Sequence, residues 1–467
     1  MKKIVIIILL ILAIVMTAMP FCASAAERVD YIIRGGTVVT MDASGTVIEN
    51  GAVAVRRDRI VAVGKTADID SKYKAERVID ATYRVVMPGL INTHTHVPMG
   101  MFRGIADDLV LMEWLQKYIF PAEAKNVDEP FVRWGTRLGC LEMIEGGTTT
   151  FVDMYYFEDA IAEETAKAGM RAVLGETLID FPAPDNKTWD AGMLYVEKFT
   201  DKWKGHPLIV PAIAPHAPYT VSTEHLKQAH DLSSRKNVPL VMHIAEDGAE
   251  VKTIQERYGA SSVAYLERNG LLDSRVIAAH MVWPTPEDIR TLAARKVGVA
   301  HCPQSNMKLA AGTAPVPQML KAGVAVGLGT DGAASNNDLN LWEEMDTAAK
   351  LHKLISKDPT VLNAREALEL ATINGARAIH MEKEIGSLEP GKRADLILVN
   401  MESPHQWPLY NVQSQLVYAT KASDVETVMI NGRLVMEDRQ VTTIDAAAVR
   451  QKAIEYRDRI RKSLTAK

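Results

Sequence analysis

Short apolar runs alternate with segments of helical period between residues 85 and 331. Each run is rich in Val, Ile, Leu and Ala, as is typical of a parallel strand buried on both faces. Eight runs occur in order: VVMPGLINTH, TTTFVDM, MRAVLGET, PLIVPAIAPH, PLVMHIAE, RVIAAH, VGVAHCP and VAVGLGTD. Eight β-then-α units predict an α/β fold, with a closed parallel (β/α)8 barrel and its helices outside.

The two flanks of this region show a different pattern. VDYIIRGGTVVTMD and GAVAVRRDRIVAVG come before it, and ADLILVN and VETVMINGRLVMED follow it. Their β-branched alternation, broken by glycine, is typical of short antiparallel strands. We therefore expect residues 27–87 and 385–440 to form one small β-sandwich from both chain ends. The barrel would span 88–384, and 441–467 would form a C-terminal helix.

The first 25 residues have the form of a secretory signal peptide. Two lysines precede an apolar run from Ile4 to Met16, and Ala23–Ala25 reads Ala-Ser-Ala, a small-residue cleavage site. The run is shorter than the roughly 18 to 20 apolar residues that span a membrane. We expect an exported protein, periplasmic or secreted. Extension of the run through Thr17 would make the leader an uncleaved membrane anchor.

Composition narrows the class of partner. The 467 residues carry a formal net charge of -5, and no basic cluster is interleaved with aromatic residues. A small-molecule substrate is therefore expected, and nucleic acid is not. Cys140 and Cys302 are the cysteines that follow the leader, too few for a disulfide framework in a domain of this size. The pattern leaves open whether the chain forms a homo-oligomer.

Nearly every predicted barrel strand ends in a residue capable of chemistry. In chain order these are His94, His96, Glu176, His216, His243, Glu246, His280, His301 and Asp331. The carboxyl ends of barrel strands meet at one face, where active sites form. One histidine in such a place is most often a packed core residue, but five of the eight strands end in histidine. That frequency indicates a shared site.

The strand ends provide a set of metal ligands. His94 and His96 are two residues apart, so in a strand they project to the same side. Together with His243 and Asp331 they make three imidazoles and one carboxylate, which suits zinc with a water in an open position. Fe2+ and Mn2+ are alternatives. The fourth strand offers no Lys or Glu to bridge a second ion, so one metal is expected.

Glu246, His280 and His216 remain for the substrate. Glu246 lies three residues past His243, where the strand turns into a loop, so its carboxylate can face the metal and shuttle a proton. His280 can hydrogen-bond a metal-bound water and help Asp331 take its proton. Metal binding lowers the pKa of such a water from roughly 16 to about 7.

These motifs resemble the amidohydrolase superfamily, and within it the 5'-methylthioadenosine/S-adenosylhomocysteine deaminases. The matching stretches are MPGLINTHTHVPM, LMEWLQKYIFPAE, LEMIEGGTTTFVDMY, HAPYTVS, HIAED, AAHMVWPTPEDI, AHCPQSNMKLAAGTAPV, GLGTDGAASNNDLN and GSLEPGKRADLILVN. The resemblance covers nearly all of the chain after the leader. It implies a TIM-like barrel and places the family's metal ligands on the four residues already chosen.

The resemblance also implies substrate contacts. They fall on Glu123, as acceptor for the ribose hydroxyls, and on His216, Glu246 and Asp331. Trp114 would stack on the base or close over the site, with packing inside LMEWL as the alternative. Ser305 and Asn306 resemble residues that shape a loop, and Cys302 would be a structural neighbour.

The implied reaction is hydrolytic deamination of an adenine ring. Glu246 would protonate N1, water activated by zinc would attack C6, and ammonia would leave to give the inosine analogue. One departure concerns S-adenosylhomocysteine, because this chain has Glu176 where the family's arginine is expected, and no Arg from Thr177 to Thr200. Glu176 would repel the amino-acid carboxylate of S-adenosylhomocysteine, so S-adenosylhomocysteine would be a poor substrate.

The sequence leaves two alternative functions open. One is deamination or hydrolysis of another heterocycle, such as a guanine, pterin or triazine ring, since one fold hosts many substrates. The other is a non-catalytic scaffold. Loss of metal ligands would mark such a scaffold, and this sequence retains all four.

Overall fold

The structure, a computed structural model, describes residues 26–465. The predicted leader, residues 1–25, lies outside the described residues, so its cleavage and the location of the protein stay predictions. Within residues 26–465, no helix has both the length and the apolar character needed to cross a membrane.

Strands and helices alternate along the described chain. The strands are β1 (Glu27–Val39), β2 (Val47–Arg56), β3 (Arg59–Lys65), β4 (Tyr73–Asp80), β5 (Arg84–Pro88), β6 (Leu90–Thr95), β7 (Thr148–Tyr155), β8 (Arg171–Leu178), β9 (Ile209–Pro215), β10 (Leu240–Ile244), β11 (Val276–His280), β12 (Gly298–His301), β13 (Ala325–Leu328), β14 (Leu396–Asn400), β15 (Val425–Ile430), β16 (Arg433–Glu437) and β17 (Gln440–Val441).

The α-helices are Thr66–Lys72, Leu111–Glu113, Phe120–Asn126, Glu129–Glu145, Glu158–Ala168, Trp189–Trp203, Thr223–Lys236, Gly248–Tyr258, Ser262–Arg268, Pro286–Arg295, Pro303–Lys308, Val316–Lys321, Leu341–Ser356, Ala364–Leu370, Ile373–Ala378, Val412–Tyr418 and Ala446–Thr465. Single 3-10 turns span Val97–Phe102, Pro404–Gln406 and Ala422–Asp424. A π-helical turn spans Trp114–Ile119.

Strands β6 to β13 form an eight-stranded sheet in sequence order, and all neighbours run parallel. Each predicted apolar run contains one of these strands, so the predicted α/β barrel is confirmed. All residues of β7 are buried, as expected for a strand covered on both faces.

The barrel closes between β13 and β6 through hydrogen bonds at the carboxyl ends of these strands. The Asp331 amide donates to the carbonyl of His94 (3.0 Å). The Asn92 side chain donates to Thr330 Oγ1 (2.8 Å), and the Thr330 amide donates back to Asn92 Oδ1 (3.1 Å). This closure brings the predicted ligands of the first and last strands side by side.

The first predicted run, VVMPGLINTH, contains two strands. β5 pairs with β14 outside the barrel, whereas β6 pairs with β7 inside it. The chain changes sheets at Gly89, where a Cβ atom would lie 2.1 Å from Cγ2 of Thr149. Glycine is required there because the backbone approaches the neighbouring strand so closely.

The second sheet has nine strands and unites both chain ends, as predicted. Its order is β17-β16-β15-β14-β5-β1-β2-β3, with β4 paired to β1. The expectation of antiparallel strands was wrong for β1, which runs parallel to β4 and β5. The helix Thr66–Lys72 connects β3 to β4 and so allows β4 to return in the direction of β1.

A buried ion pair joins the barrel to the second sheet. Arg171, the first residue of β8, donates to both carboxylate oxygens of Asp395 (2.8 and 3.1 Å), and both side chains are only 3% exposed. The Asn431 amide donates to Asp395 (2.6 Å), and Arg171 also donates to the Pro207 carbonyl (2.9 Å). These bonds compensate the buried charges.

Candidate metal and substrate site

The four predicted metal ligands converge at the carboxyl ends of β6, β10 and β13. Nε2 of His94 and Nε2 of His96 lie 3.5 and 3.3 Å from Oδ1 of Asp331. Nε2 of His243 lies 3.3 Å from Nε2 of His96. Three imidazole nitrogens and one carboxylate oxygen therefore face a common point.

Backbone carbonyls orient two of these imidazoles. Nδ1 of His96 donates to the Met154 carbonyl (2.6 Å), and Nδ1 of His243 donates to the His216 carbonyl (2.9 Å). A carbonyl oxygen only accepts, so the hydrogen lies on Nδ1 and Nε2 presents its lone pair to the centre. Metal-binding histidines are usually held in this way.

Asp331 is oriented from its other side by two serine hydroxyls. Ser305 Oγ (2.6 Å) and Ser335 Oγ (2.8 Å) donate to its Oδ2, which leaves Oδ1 directed at the histidines. Ser305, predicted only to shape a loop, therefore contacts a ligand directly. Burial would raise the pKa of Asp331, but the adjacent imidazoles of His94 and His96 outweigh burial and hold that pKa well below its usual range.

The residues of this cluster fit a divalent cation. Nε2 of His94 is buried and has no hydrogen-bond partner among residues 26–465. Nε2 of His96 and Nε2 of His243 face each other across 3.3 Å, and a positive charge, either a proton or a metal ion, stabilises two acceptor atoms placed in this way. Burial lowers the pKa of His96, but Asp331 outweighs burial and raises it to about 9. The centre therefore favours a cation, and this donor set suits a first-row metal.

Glu246 and His280 flank the cluster. Oε1 of Glu246 lies 3.7 Å from Nε2 of His280. Burial, with Asp331 nearby, raises the pKa of Glu246 well above its usual range, which favours the neutral carboxyl form that can donate a proton. Nδ1 of His280 lies 3.1 Å from Oδ1 of Asn306, which orients the ring. Asn306, also predicted to shape a loop, thus supports a candidate catalytic side chain.

A cleft of about 560 Å3 opens on this cluster. Predicted site residues that line it are Trp114, Glu123, His96, His216, His243, Glu246, His280 and Asp331. Sequence reasoning missed other lining residues, among them Met99, Tyr155, Tyr156, Thr177 and Tyr219. The tyrosines after β7 follow a strand end, so their position along the chain was a usable signal.

Glu123 reaches the cleft from the helix Phe120–Asn126. The Tyr155 hydroxyl donates to its Oε1 (2.8 Å). Burial raises the pKa of Glu123 to about 7. Trp114, in the π-helical turn just before, is 6% exposed, and its indole N–H has no hydrogen-bond partner in the described part of the chain. Both side chains lie where a substrate in the cleft can contact them.

His216 follows β9 and completes this wall. Its Nδ1 lies 2.9 Å from Thr220 Oγ1, and burial lowers its pKa to about 3, so the ring is neutral. By contrast, His301 does not join the cluster. Its Nε2 lies 3.2 Å from Nε2 of His352, which tethers β12 to the helix Leu341–Ser356.

The expected role of Glu176 was wrong. The side chain is fully buried outside the cleft, where Oε2 accepts from the Glu158 amide (3.0 Å) and Oε1 accepts from the Asn186 side chain (3.0 Å). Its neighbour Thr177 lines the cleft instead, because consecutive strand residues point to opposite sides. Glu176 therefore cannot meet a substrate carboxylate directly.

A second cavity of about 480 Å3 adjoins the cleft and shares Phe120, Glu123 and Tyr156 with it. Among its other lining residues, Phe181, Pro182, Ala183 and Pro184 belong to the loop after β8 and are apolar in type. The one cation in its lining is Lys187, whose Nζ donates to the carbonyls of Ala183 (2.6 Å) and Pro184 (3.1 Å).

Comparison with known proteins agrees with this geometry. Residues 85–435 match the Amidohydrolase family. The chain is 47% identical over 438 residues to 5-methylthioadenosine/S-adenosylhomocysteine deaminase 1 of Syntrophus aciditrophicus (strain SB), with 94% of this chain and 99% of the relative covered. It is 49% identical to 5-methylthioadenosine/S-adenosylhomocysteine deaminase of Syntrophobacter fumaroxidans (strain DSM 10017 / MPOB), with 91% and 97% covered.

A solved structure supports the comparison. The crystal structure of an adenosine deaminase from Xanthomonas campestris, with bound zinc, superimposes with a TM-score of 0.92 at 41% identity. The match covers 94% of this chain and 100% of that one. A protein similar to this chain over nearly its full length has thus been solved with bound zinc.

Proposed function

This chain belongs to the amidohydrolase family, and we propose that it is a zinc-dependent hydrolytic deaminase of adenosine-type nucleosides. The products would be the inosine analogue and ammonia. The observation that carries the proposal is one cleft that joins the histidine and aspartate cluster to the buried Glu246 at one side and to Glu123 at the other.

His94, His96, His243 and Asp331 would hold the ion. When bound, zinc supplies an acidified water at neutral pH. The same ligand set also accepts Fe2+ or Mn2+, so metal analysis of the purified protein decides among the three. One ion per chain is expected, because the two candidate ligand groups among the described residues, His94 with His96 and His243, and His94 with His280 and Asp331, share His94 and so form one centre.

The proton transfers fall to Glu246 and His280. The neutral carboxyl group of Glu246 donates its proton to ring nitrogen N1, which makes C6 more electrophilic. Neutral His280 has its Nδ1 directed at Asn306, so its Nε2 is free to accept a hydrogen bond from the attacking water. Asp331 takes one proton of that water and passes it to the amino group, which leaves as ammonia, and the second proton of the water returns to Glu246 as the C6 carbonyl forms.

The other end of the substrate meets Glu123 and His216. The Tyr155 hydroxyl uses one acceptor position of the Glu123 carboxylate, and the remaining positions can accept from the vicinal hydroxyls of a ribose. His216 offers a neutral ring to the base. Trp114 covers the same region of the cleft.

The second cavity would take the 5'-substituent. With the base at the metal cluster and the ribose on Glu123, the 5'-position points past Glu123 into the second cavity, where Phe181 and Pro182 can contact an apolar substituent. A methylthio group gains from burial there, at about 0.8 kcal/mol per methylene-sized group. The amino-acid end of S-adenosylhomocysteine would lose hydration, and Lys187 is exposed and already bonded to two carbonyls. S-adenosylhomocysteine is therefore the poorer substrate, for this reason rather than through Glu176.

The test is ammonia release from 5'-methylthioadenosine, 5'-deoxyadenosine, adenosine, S-adenosylhomocysteine and guanine with zinc-loaded protein. Turnover of the first two above S-adenosylhomocysteine is expected. Guanine as the best substrate would redirect the assignment to another heterocycle. Equal turnover of S-adenosylhomocysteine and 5'-methylthioadenosine would refute the apolar subsite. If Lys187→Met then lost activity on S-adenosylhomocysteine but kept activity on 5'-methylthioadenosine, Lys187 would be a ligand for the amino-acid carboxylate.

We also propose that residues 1–25 direct export. The supporting observation is the order of charged, apolar and small residues in this segment. Expression with a C-terminal tag, cell fractionation and N-terminal sequencing test the proposal. A protein that starts at Ala26 outside the inner membrane is expected. Recovery in the cytoplasm with an intact N-terminus would overturn it.

A further inference from the structure

The carboxylate of Glu250 binds the backbone that carries Glu246. Glu250 lies in the first turn of the helix Gly248–Tyr258 and is 3% exposed. Its Oε1 accepts from the Ala245 amide and its Oε2 accepts from the Glu246 amide, both at 2.8 Å. The Ser262 hydroxyl donates to the same Oε1 (2.8 Å). Glu250 does not line the cleft, so it acts on a substrate only through another residue.

The backbone held in this way is a sharp turn. Ala245 has a left-handed φ of +54°, and the strand β10 ends at the residue before it. From the opposite side, the amides of Val282 and Trp283 donate to the Ala245 carbonyl (2.9 and 3.2 Å). The turn is therefore held between the backbone that follows β11 and the Glu250 carboxylate.

Two parallel hydrogen bonds to consecutive amides control orientation as well as position. A bidentate carboxylate restricts rotation of the Ala245–Glu246 peptide, and that peptide determines the direction of the Glu246 side chain. The Glu246 carboxyl group must lie within hydrogen-bond distance of a ring nitrogen to transfer its proton. Displacement by about 1 Å at such a position can cost roughly a hundredfold in rate.

We propose that Glu250 is a positioning residue for the deamination reaction, which holds the Glu246 carboxyl group in place for proton transfer. The proposal rests on the function proposed above. Glu250 makes no contact with the metal cluster, so its loss affects the chemical step and leaves zinc content and substrate affinity unchanged.

The test compares Glu250→Gln with wild type on the ring substrate that the wild-type full chain turns over fastest. Glutamine keeps the volume, but its amide oxygen accepts from one N–H while its NH2 group opposes the other. We expect kcat to fall about 10- to 100-fold, with KM and zinc content within about twofold of wild type. Ser262→Ala is the matched control, because it removes one bond to Glu250 and leaves both backbone bonds; its kcat should stay within about threefold.

A double-variant cycle separates positioning from general loss of structure. If Glu250 acts through Glu246, the double variant Glu246→Gln/Glu250→Gln should be no slower than Glu246→Gln alone. Additive losses, or a parallel fall in zinc content, would overturn the proposal. Should Glu250→Gln fail to fold, Glu250→Asp keeps the charge and enters the same cycle. A wild-type chain without turnover of any ring substrate would refute the proposed function, and the role of Glu250 with it.

Discussion

Replacement of Glu123 by glutamine separates ribose binding from the chemistry at the metal cluster. The change keeps the side-chain volume but removes the negative charge and part of the acceptor capacity. A hydrogen bond to a charged group contributes about 1.5 to 3 kcal/mol to binding. With the Tyr155 hydroxyl already on Oε1 at 2.8 Å, we assign about 2 kcal/mol to the contact with the ribose hydroxyls. This predicts a loss of about 30-fold in kcat/KM.

The assay follows ammonia release from adenosine and from 2',3'-dideoxyadenosine, with both proteins loaded with zinc. Glu123→Gln should lower kcat/KM for adenosine about 30-fold and change that for the dideoxy substrate less than about threefold. Tyr155→Phe is a control. It frees an acceptor position on Glu123 and should not reduce the preference for the ribose diol.

The pH dependence gives an independent reading of the same carboxylate. Burial raises the pKa of Glu123 to about 7, and the weaker opposing effects of Tyr155 and His96 do not cancel burial. The charged form is therefore present above about pH 7 and lost below it. The ratio of kcat/KM for adenosine to that for the dideoxy substrate should fall as the pH drops from 8 to 6. Equal losses on both substrates, or a ratio independent of pH, would refute the ribose role of Glu123.

Three further predictions concern the metal and the framework. Chelation of the metal should lower the melting temperature and abolish ammonia release, and added zinc should restore both. The His94→Asn variant should not recover with zinc. A melting temperature that is unchanged by chelation would contradict this prediction. Gly298→Ala should lower the free energy of unfolding by several kcal/mol, as measured by denaturant titration, because its Cβ would lie 1.8 Å from the Ala378 carbonyl oxygen. An unchanged free energy of unfolding would show that the helix Ile373–Ala378 can shift. Arg171→Leu should lower the free energy of unfolding by about 3 to 5 kcal/mol, because it leaves Asp395 charged and buried without its partner. The Asp395→Asn variant should lower the free energy of unfolding by no more than Arg171→Leu does.

Much of the barrel and the metal cluster could be predicted because both depend on local patterns. Near-continuous apolar runs mark strands buried on both faces, and the polar residue at each strand end must lie at the same face of a barrel. His94, His96, His243 and Asp331 needed no knowledge of loop conformation. Their positions follow from strand order alone.

The predictions that failed share a physical cause. They depend on the direction in which a side chain points, which its position along the chain does not give. Glu176 and Thr177 are adjacent at one strand end, yet only Thr177 lines the cleft. Similarly, Glu250 looks like an ordinary helix residue until its two backbone partners are known.

The closure between β6 and β13 determines when this protein can first bind its ion. Asn92 and Thr330, whose side chains meet there, are 238 residues apart, so the contact has high sequence separation and its loop-closure entropy is large. During synthesis, a nascent chain that stops before β13 lacks both the last barrel strand and the ligand Asp331. The complete coordination set therefore arises only late in folding, and metal capture serves as a sign that the barrel has closed.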